Sequence, residues 1–279
     1  MFKLKKLRHS ATQKNTSIPY WLLLAFVLAL LFAWYIAVDH NYRLILKSLI
    51  HGVATTLYVT FISFSLAALL GLAVAKSRLS SNRVLQEIAS FYTEVIRGVP
   101  ILVLLFYVAF VGAPQLVALC NFVGKPMQEL FGWDPLKLRD FSMVWRAIIA
   151  LTIGYSAFIA EIFRAGIESV EKGQVEAARS LGLTSWQTFR FIVWPQALKN
   201  ILPPLGNDFV AMIKDSALVS VLGVQDITQL GKVYSSSTFL FFETYNTVAY
   251  LYLIMTVSLS LIVRAMEARF KAKSFDNEQ

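Results

Sequence analysis

Charged and hydrogen-bonding side chains interrupt otherwise apolar stretches at three places in this sequence, and those interruptions are where chemistry could occur. Glu94 and Arg97 stand in one apolar block, Glu161 and Arg164 near the end of another, and Asn207, Asp208, Lys214, Asp215 and Ser216 in a third. Even on a lenient insertion scale a mid-membrane Arg costs about 2.5–3.5 kcal/mol, so such groups face a protein interior, a partner charge or a water path. Glu94 and Arg97 are one helical turn apart, as are Glu161 and Arg164, so each couple can close as a local ion pair. The same groups could instead meet a solute. A guanidinium at Arg97 suits a carboxylate, and a carboxylate at Glu161, on a segment carrying Gly154, Ser156 and Ala157, suits an amino group. Lys214 and Asp215 can snorkel to an interface, leaving Asn207 and Ser216 as neutral hydrogen-bonding candidates beside Asp208. Both readings stay open at each position. Arg97, Glu161, Asn207, Asp208, Lys214 and Ser216 together form the candidate solute path.

Bond-making chemistry has no comparable support. His9, His40 and His51 are scattered, no H-E-x-x-H pattern occurs, and no spacing groups a Ser, a His and a carboxylate. No G-x-x-x-x-G-K followed by Ser or Thr is present to cradle phosphates. Cys120 is single and cannot close an intrachain disulfide. No catalytic residue and no metal ligand is assigned, and the chain is expected not to be an enzyme.

The elements that must hold the charged positions are membrane helices. Hydrophobic residues make up 57% of the chain and charged residues 15%, with mean hydropathy +0.59, against about 25% charge in a soluble domain. The apolar residues gather in blocks of about 20, the length that crosses about 30 Å of hydrocarbon. The pattern predicts an all-α polytopic membrane protein with six spans, over 19–38, 51–75, 88–112, 143–164, 199–222 and 243–264. The net charge of +9 sits in short Lys and Arg clusters between the blocks rather than along a nucleic-acid-binding face. Lys3, Lys5, Lys6 and Arg8 precede the first block, Lys76, Arg78 and Arg83 follow the second, and Arg264, Arg269, Lys271 and Lys273 follow the last. The opposite segments hold fewer, so the positive-inside rule places both termini in the cytoplasm. The first apolar run is too long for the core of a secretory signal and is read as a retained span. Pro114, Pro126, Gly132, Trp133 and Pro135 predict a short external cap over 113–142, and residues 271–279 read as a frayed polar tail.

A polar stretch from Arg164 to Gln187 separates the fourth and fifth spans. Glu176, Ala177, Ala178, Ser180 and Leu181 suit a short helix, Gly182 its left-handed cap, and Thr184 or Ser185 the cap of the next helix. The chain is thus expected to turn sharply twice. Small Ala177 and Ala178 beside Glu176 and Arg179 could seat in a groove of a partner protein, or the helix could lie along the bilayer surface.

Glu176, Ala177 and Ala178, then Gly182, Ile192 and Pro195, resemble the EAA loop of ABC importer permeases, with Trp194 where that family usually has Leu. The segments Tyr92–Pro100, with Arg97-Gly98-Val99-Pro100, 160–182 and 195–214 resemble the polar amino acid subfamily (His/Glu/Gln/Arg-type). The resemblance covers most of 50–265 and implies a five-helix permease core over 49–268, with the EAA loop at about 166–195. A basic segment (1–18), an added anchor with its external connection (19–48) and a cytoplasmic tail (269–279) surround it. It further implies that Gly173, Glu176, Ala177, Ala178, Gly182 and Pro195 form a coupling helix that docks on an ATPase. The implied partners are two ABC ATPase subunits that bind ATP and Mg, a second permease copy or paralogue, an extracytoplasmic solute-binding protein and membrane lipid, with no nucleic acid. The implied location is the bacterial cytoplasmic (inner) membrane, and the implied activity is import of a polar amino acid by alternating access. A nucleotide-independent secondary transporter or channel is the competing reading, and acidic, basic and amide amino acids all remain open as substrates.

Overall fold

The computed structural model describes residues 20–275; the basic segment 1–18, residue 19 of the first expected span and the end of the tail lie outside the described residues. The described residues form eleven α-helices joined by short turns and contain no strand. They are α1 (Tyr20–Val38), α2 (His40–Arg78), α3 (Arg83–Gly98), α4 (Ile101–Tyr107), α5 (Ala113–Phe131), α6 (Met143–Glu168), α7 (Lys172–Ser180), α8 (Ser185–Thr188), α9 (Trp194–Asp215), α10 (Ile227–Thr238) and α11 (Phe241–Phe275). Among the described residues, four stretches, against the six spans expected, are long and apolar enough to cross a bilayer: His40–Arg78, Ile101–Pro126, Met143–Glu168 and Phe241–Met266. Leu23–Val38 is apolar but shorter. Helix α9 packs within the bundle against α6 and α11; Lys199, Asp208, Lys214 and Asp215 along it keep it from standing out as an apolar span.

The third span departs from the expected 88–112. Helix α3 ends at Gly98, and Val99 (φ −99°, ψ 130°) and Pro100 (φ −58°, ψ 138°) are extended. A residue before proline is steered away from the helical region, and Pro100 has no N–H to carry a helix through. The chain restarts at Ile101 and runs through α4, a π-turn at Val108–Gly112 and α5 to Phe131. The expected cap over 113–142 is therefore mostly helix, and only the segment after Phe131, with a 3₁₀ turn at Leu138–Asp140, connects to α6.

The π-turn explains how Pro114 is accommodated. Its widened ring bonds Ala113 N–H to the Val108 carbonyl, and the next donor in that pattern would be residue 114, a proline without one. The Ala109 carbonyl is met instead by Arg146 Nη1 at 3.3 Å. Arg146 is 5% exposed and also donates to the carbonyls of Phe141 (2.9 Å) and Leu138 (2.6 Å). It thereby pins the connection to the helix end through three carbonyls.

Helix α6 is the centre of the bundle: 67% of its apolar window is buried, against 28% for α2 and 11% for α11. Small residues make this possible. Helix α2 buries Thr60, Ser63, Ala67, Gly71 and Ala75, and α6 buries Ala147, Ala150, Ser156, Ala157 and Ala160, while Gly52 and Thr56 of α2 meet α10 instead. Ser63 donates to the Ile148 carbonyl and Thr152 to the Ser63 carbonyl, both at 3.4 Å. A Cβ at Gly71 would lie 2.9 Å from both the Ser156 carbonyl oxygen and Ile159 Cγ2, so only glycine permits this approach. At the other end, α11 continues to Phe275, through most of the tail read as frayed.

Helix α1 docks through aromatic rings. Phe32 meets Tyr42 and Tyr250 edge-on at 5.7 and 5.0 Å, and Tyr250 OH donates to the Ala29 carbonyl at 2.9 Å.

Gly71→Val is expected to destabilise the detergent-solubilised protein by about 1–3 kcal/mol, the usual cost of overpacking. A lowered midpoint of thermal unfolding followed by tryptophan fluorescence checks it, and an unchanged midpoint would show that α2 and α6 are not in this contact.

The coupling segment and the solute cavity

Helix α6 ends at Glu168, and the chain reverses through Ser169–Glu171 into α7. Helix α7 ends in a paired-hydrogen-bond turn: Leu183 N–H reaches the Ala178 carbonyl (3.2 Å) and Gly182 N–H the Arg179 carbonyl (2.9 Å). Gly182 stands at φ +83°, the left-handed conformation this Schellman closure requires and glycine adopts without strain. Thr184 then caps α8, its Oγ1 accepting from Gln187 N–H while Gln187 Oε1 accepts from Thr184 N–H. The two sharp turns and both caps were legible in the sequence.

Beyond α8 a second π-turn at Phe189–Val193 leads into α9, which carries Pro195 in its first turn, where a missing N–H is tolerated. Two side-chain bonds fasten the loop to α9. Gln196 Nε2 donates to Gln174 Oε1 at 2.6 Å, and Asn200 Nδ2 donates to Ser169 Oγ at 2.7 Å. Gly166 allows the approach behind them, because a Cβ there would lie 2.3 Å from Ile201 Cγ1.

The face this segment presents differs from the expected one. Ala178 is turned inward and buried at 4% exposure, so it does not offer itself to a partner. Gly173, Glu176, Ala177, Gly182 and Pro195 are exposed. With them stand three large apolar side chains that the sequence pattern did not single out, Leu181 (81% exposed), Trp186 (69%) and Phe191 (65%).

A cavity of about 470 Å³ opens between α3, α6 and α9, lined by Arg97, Phe158, Glu161, Ile162, Ala165, Gly166, Asn200, Pro204 and Asp208. Three of the six candidate path residues, Arg97, Glu161 and Asp208, meet there. The other three do not. Asn207 and Lys214 are exposed on α9 away from the lining, and Ser216 is fully buried, donating to the Ile213 carbonyl at 2.7 Å. Asp215 does not snorkel; it accepts from Tyr155 OH at 2.7 Å.

Within the cavity the charges are unequally satisfied. Arg97 does not close the expected pair with Glu94; its guanidinium lies over the Phe158 ring, 5.5 Å from the centroid, a cation–π contact. Glu161 does pair with Arg164, as its spacing allows, and is also held by Arg78 Nη1 at 2.5 Å. Arg78 lies 83 residues away in sequence, and nothing in the local pattern joins the two. Asp208 is half-buried and faces the cavity with no ion-pair partner among the described residues. A lone cation and a lone anion thus border one space.

A second polar cluster escaped the sequence reading. Asp226, fully buried, caps α10 by accepting from Gln229 N–H at 2.8 Å and accepts from Tyr252 OH at 3.1 Å. Tyr252 OH also shares a hydrogen bond with Thr228 Oγ1 at 3.0 Å. The cluster fastens α10 to α11.

Residues 67–274 match the family described as "Binding-protein-dependent transport system inner membrane component". The chain belongs to this family. The permease is 38% identical over 220 residues to the "Probable glutamine ABC transporter permease protein GlnM" of Bacillus subtilis (strain 168), covering 79% of this chain and 92% of that protein. It is 30% identical over 224 residues to the arginine transport system permease protein ArtQ of the same organism, covering 80% and 93%. Among solved structures, an amino acid ABC transporter crystallised with histidines superposes with TM-score 0.69 at 37% identity, covering 83% of this chain and 99% of that one. The permease is a membrane-embedded transport component, and its binding-protein-dependent family and ABC relatives favour the importer over the nucleotide-independent reading. The family match begins at residue 67 and leaves α1 outside it.

Gly182→Val forces a β-branched residue into the left-handed region at a cost of about 1–2 kcal/mol. Hydrogen exchange at Leu181–Leu183 in the purified permease is expected to speed up about ten-fold, with less change for Gly182→Asn, since Asn tolerates that conformation. Equal rates in all three proteins would show that the turn does not depend on Gly182.

Proposed function

We propose that this permease imports a polar amino acid across the bacterial cytoplasmic membrane by alternating access, driven by two ATPase subunits docked on the 166–195 segment. The observation that carries the proposal is the cavity in which Arg97 and Asp208, each without an oppositely charged partner among the described residues, border the same space. An α-amino acid has one carboxylate for Arg97 and one ammonium for Asp208. Glu161, already accepting from two guanidiniums, is less available to a solute than the sequence spacing suggested. The names of its relatives support the substrate class: one is described for glutamine and another for arginine.

The coupling role rests on the exposed face of Gly173, Glu176, Ala177 and Gly182 with Leu181 and Trp186, and on the bonds that hold that face to α9. ATP and Mg belong to the ATPase, and Pro195 sets the start of the helix that the docked segment would lever. In this reading residues 19–38 serve as an added anchor and 49–268 as the permease core; residues 40–48, expected as external connection, are the first turns of α2, and the tail from 269 continues α11 to Phe275. Both termini face the cytoplasm, an external binding protein delivers the solute, and a second permease copy or paralogue completes the path within membrane lipid.

The test is ATP-driven uptake of radiolabelled polar amino acids by proteoliposomes holding the complex purified from its native membrane. Uptake of at least one amino acid that requires both ATP and the binding protein is expected. Arg97→Gln and Asp208→Asn should each lower it about ten-fold, the loss of one charge-assisted hydrogen bond. Uptake that proceeds without ATP, or that both variants leave unchanged, would contradict the proposal.

A further inference from the structure

Glu161, Arg164 and Glu168 run from the cavity wall to the start of the coupling turn, and Arg78 joins them from α2. Arg78, at the end of α2, donates through Nη1 to Glu161 Oε2 at 2.5 Å. Arg164 donates to both Glu161 oxygens, through Nε to Oε2 at 3.1 Å and through Nη2 to Oε1. Its Nη1 donates to Glu168 Oε2 at 2.5 Å. Glu161 lines the cavity, and Glu168 is the last residue of α6, followed directly by the reversal into α7.

This is unlike a solvated surface pair, whose contribution is small and salt-screened. The Arg78 and Glu161 side chains are 15% and 29% exposed, and three N–H groups converge on one carboxylate. The Arg78 contact joins two membrane-crossing helices, whereas Arg83–Glu87 and Lys125–Glu129 each lie within one helix and Arg139–Asp140 within one turn.

We infer that the Arg78–Glu161–Arg164–Glu168 chain reports occupancy of the cavity to the coupling helix, with Arg78 as a positioning residue for transport. The inference rests on the proposed coupling role of residues 166–195. A ligand shifts an equilibrium only as far as it interacts differently with the two states. A cationic group of the solute, held near Asp208, borders the same space as Glu161 and competes with Arg78 for that carboxylate. Weakening the Arg78 arm loosens α2 from α6 at the level where α6 enters the docking loop. Arg164 stays tied to Glu168 and carries the change in Glu161 to the turn.

The experiment uses the full complex in lipid nanodiscs and compares ATP hydrolysis with and without substrate-loaded binding protein. Arg78→Gln and Glu168→Gln are tested because neither side chain lines the cavity; Arg78→Lys keeps the charge. In Arg78→Gln the complex is expected to assemble with unchanged basal hydrolysis while stimulation by the loaded binding protein falls about ten-fold. Glu168→Gln, whose partly exposed position makes misfolding a lesser concern, should lower stimulation in the same direction, and Arg78→Lys should recover part of it. Undiminished stimulation in both glutamine variants would overturn the inference. So would equal loss of basal and stimulated hydrolysis, which marks a structural role alone. Failure of the unaltered chain to bring down any ATPase would defeat the coupling role itself, and this inference with it.

Discussion

Close approach at α6 is the constraint on which the rest of the molecule depends. Between membrane helices the hydrophobic effect supplies little attraction, since lipid tails are as apolar as the side chains they replace, and association rests on packing and hydrogen bonds. Gly71 on α2 and Gly166 on α6 permit two contacts that any larger residue would prevent, the first against α6 and the second against Ile201 of α9. With α2 and α9 seated this closely, α6 can carry Phe158 and Glu161 to a cavity on one side and deliver its end to the 169–193 loop on the other. The positions of the cavity and the loop are therefore set by one helix.

Breaks in helices do as much here as the helices themselves. Pro100 ends α3 just beyond Arg97, leaving that guanidinium at a helix end where it reaches Phe158. A π-turn takes up Pro114, and the carbonyl it frees is bound by Arg146. A second π-turn precedes Pro195 and joins the docking loop to α9. At the first π-turn the freed carbonyl finds a buried donor, as a low-dielectric setting requires.

What could be read from the sequence was what a few adjacent residues decide. The Gly182 cap, the Thr184 cap and the Glu161–Arg164 pair all follow from spacing within one or two turns. The reading failed where distant segments decide. Pro114 and Pro126 look like loop residues until a π-turn and a neighbouring arginine accommodate the first. Arg78 reads only as a cytoplasmic basic residue, because Glu161 lies 83 residues on. The inward turn of Ala178 depends on α7 folding back on α8 and the Phe189–Val193 turn, and Asp226 sits in no motif, its partners coming from α10 and α11.

The most direct measurement of the central claim, that the 166–195 segment docks an ATPase through a defined face, is cysteine cross-linking with Cys120 replaced. A cysteine at exposed Ala177 and, separately, at buried Ala178 is treated with a short thiol-to-amine reagent in native membranes containing the co-expressed ATPase subunit. Ala177→Cys should cross-link to the ATPase and Ala178→Cys should not. Cross-linking from Ala178→Cys alone, or from neither position while the complex is intact, would contradict the account.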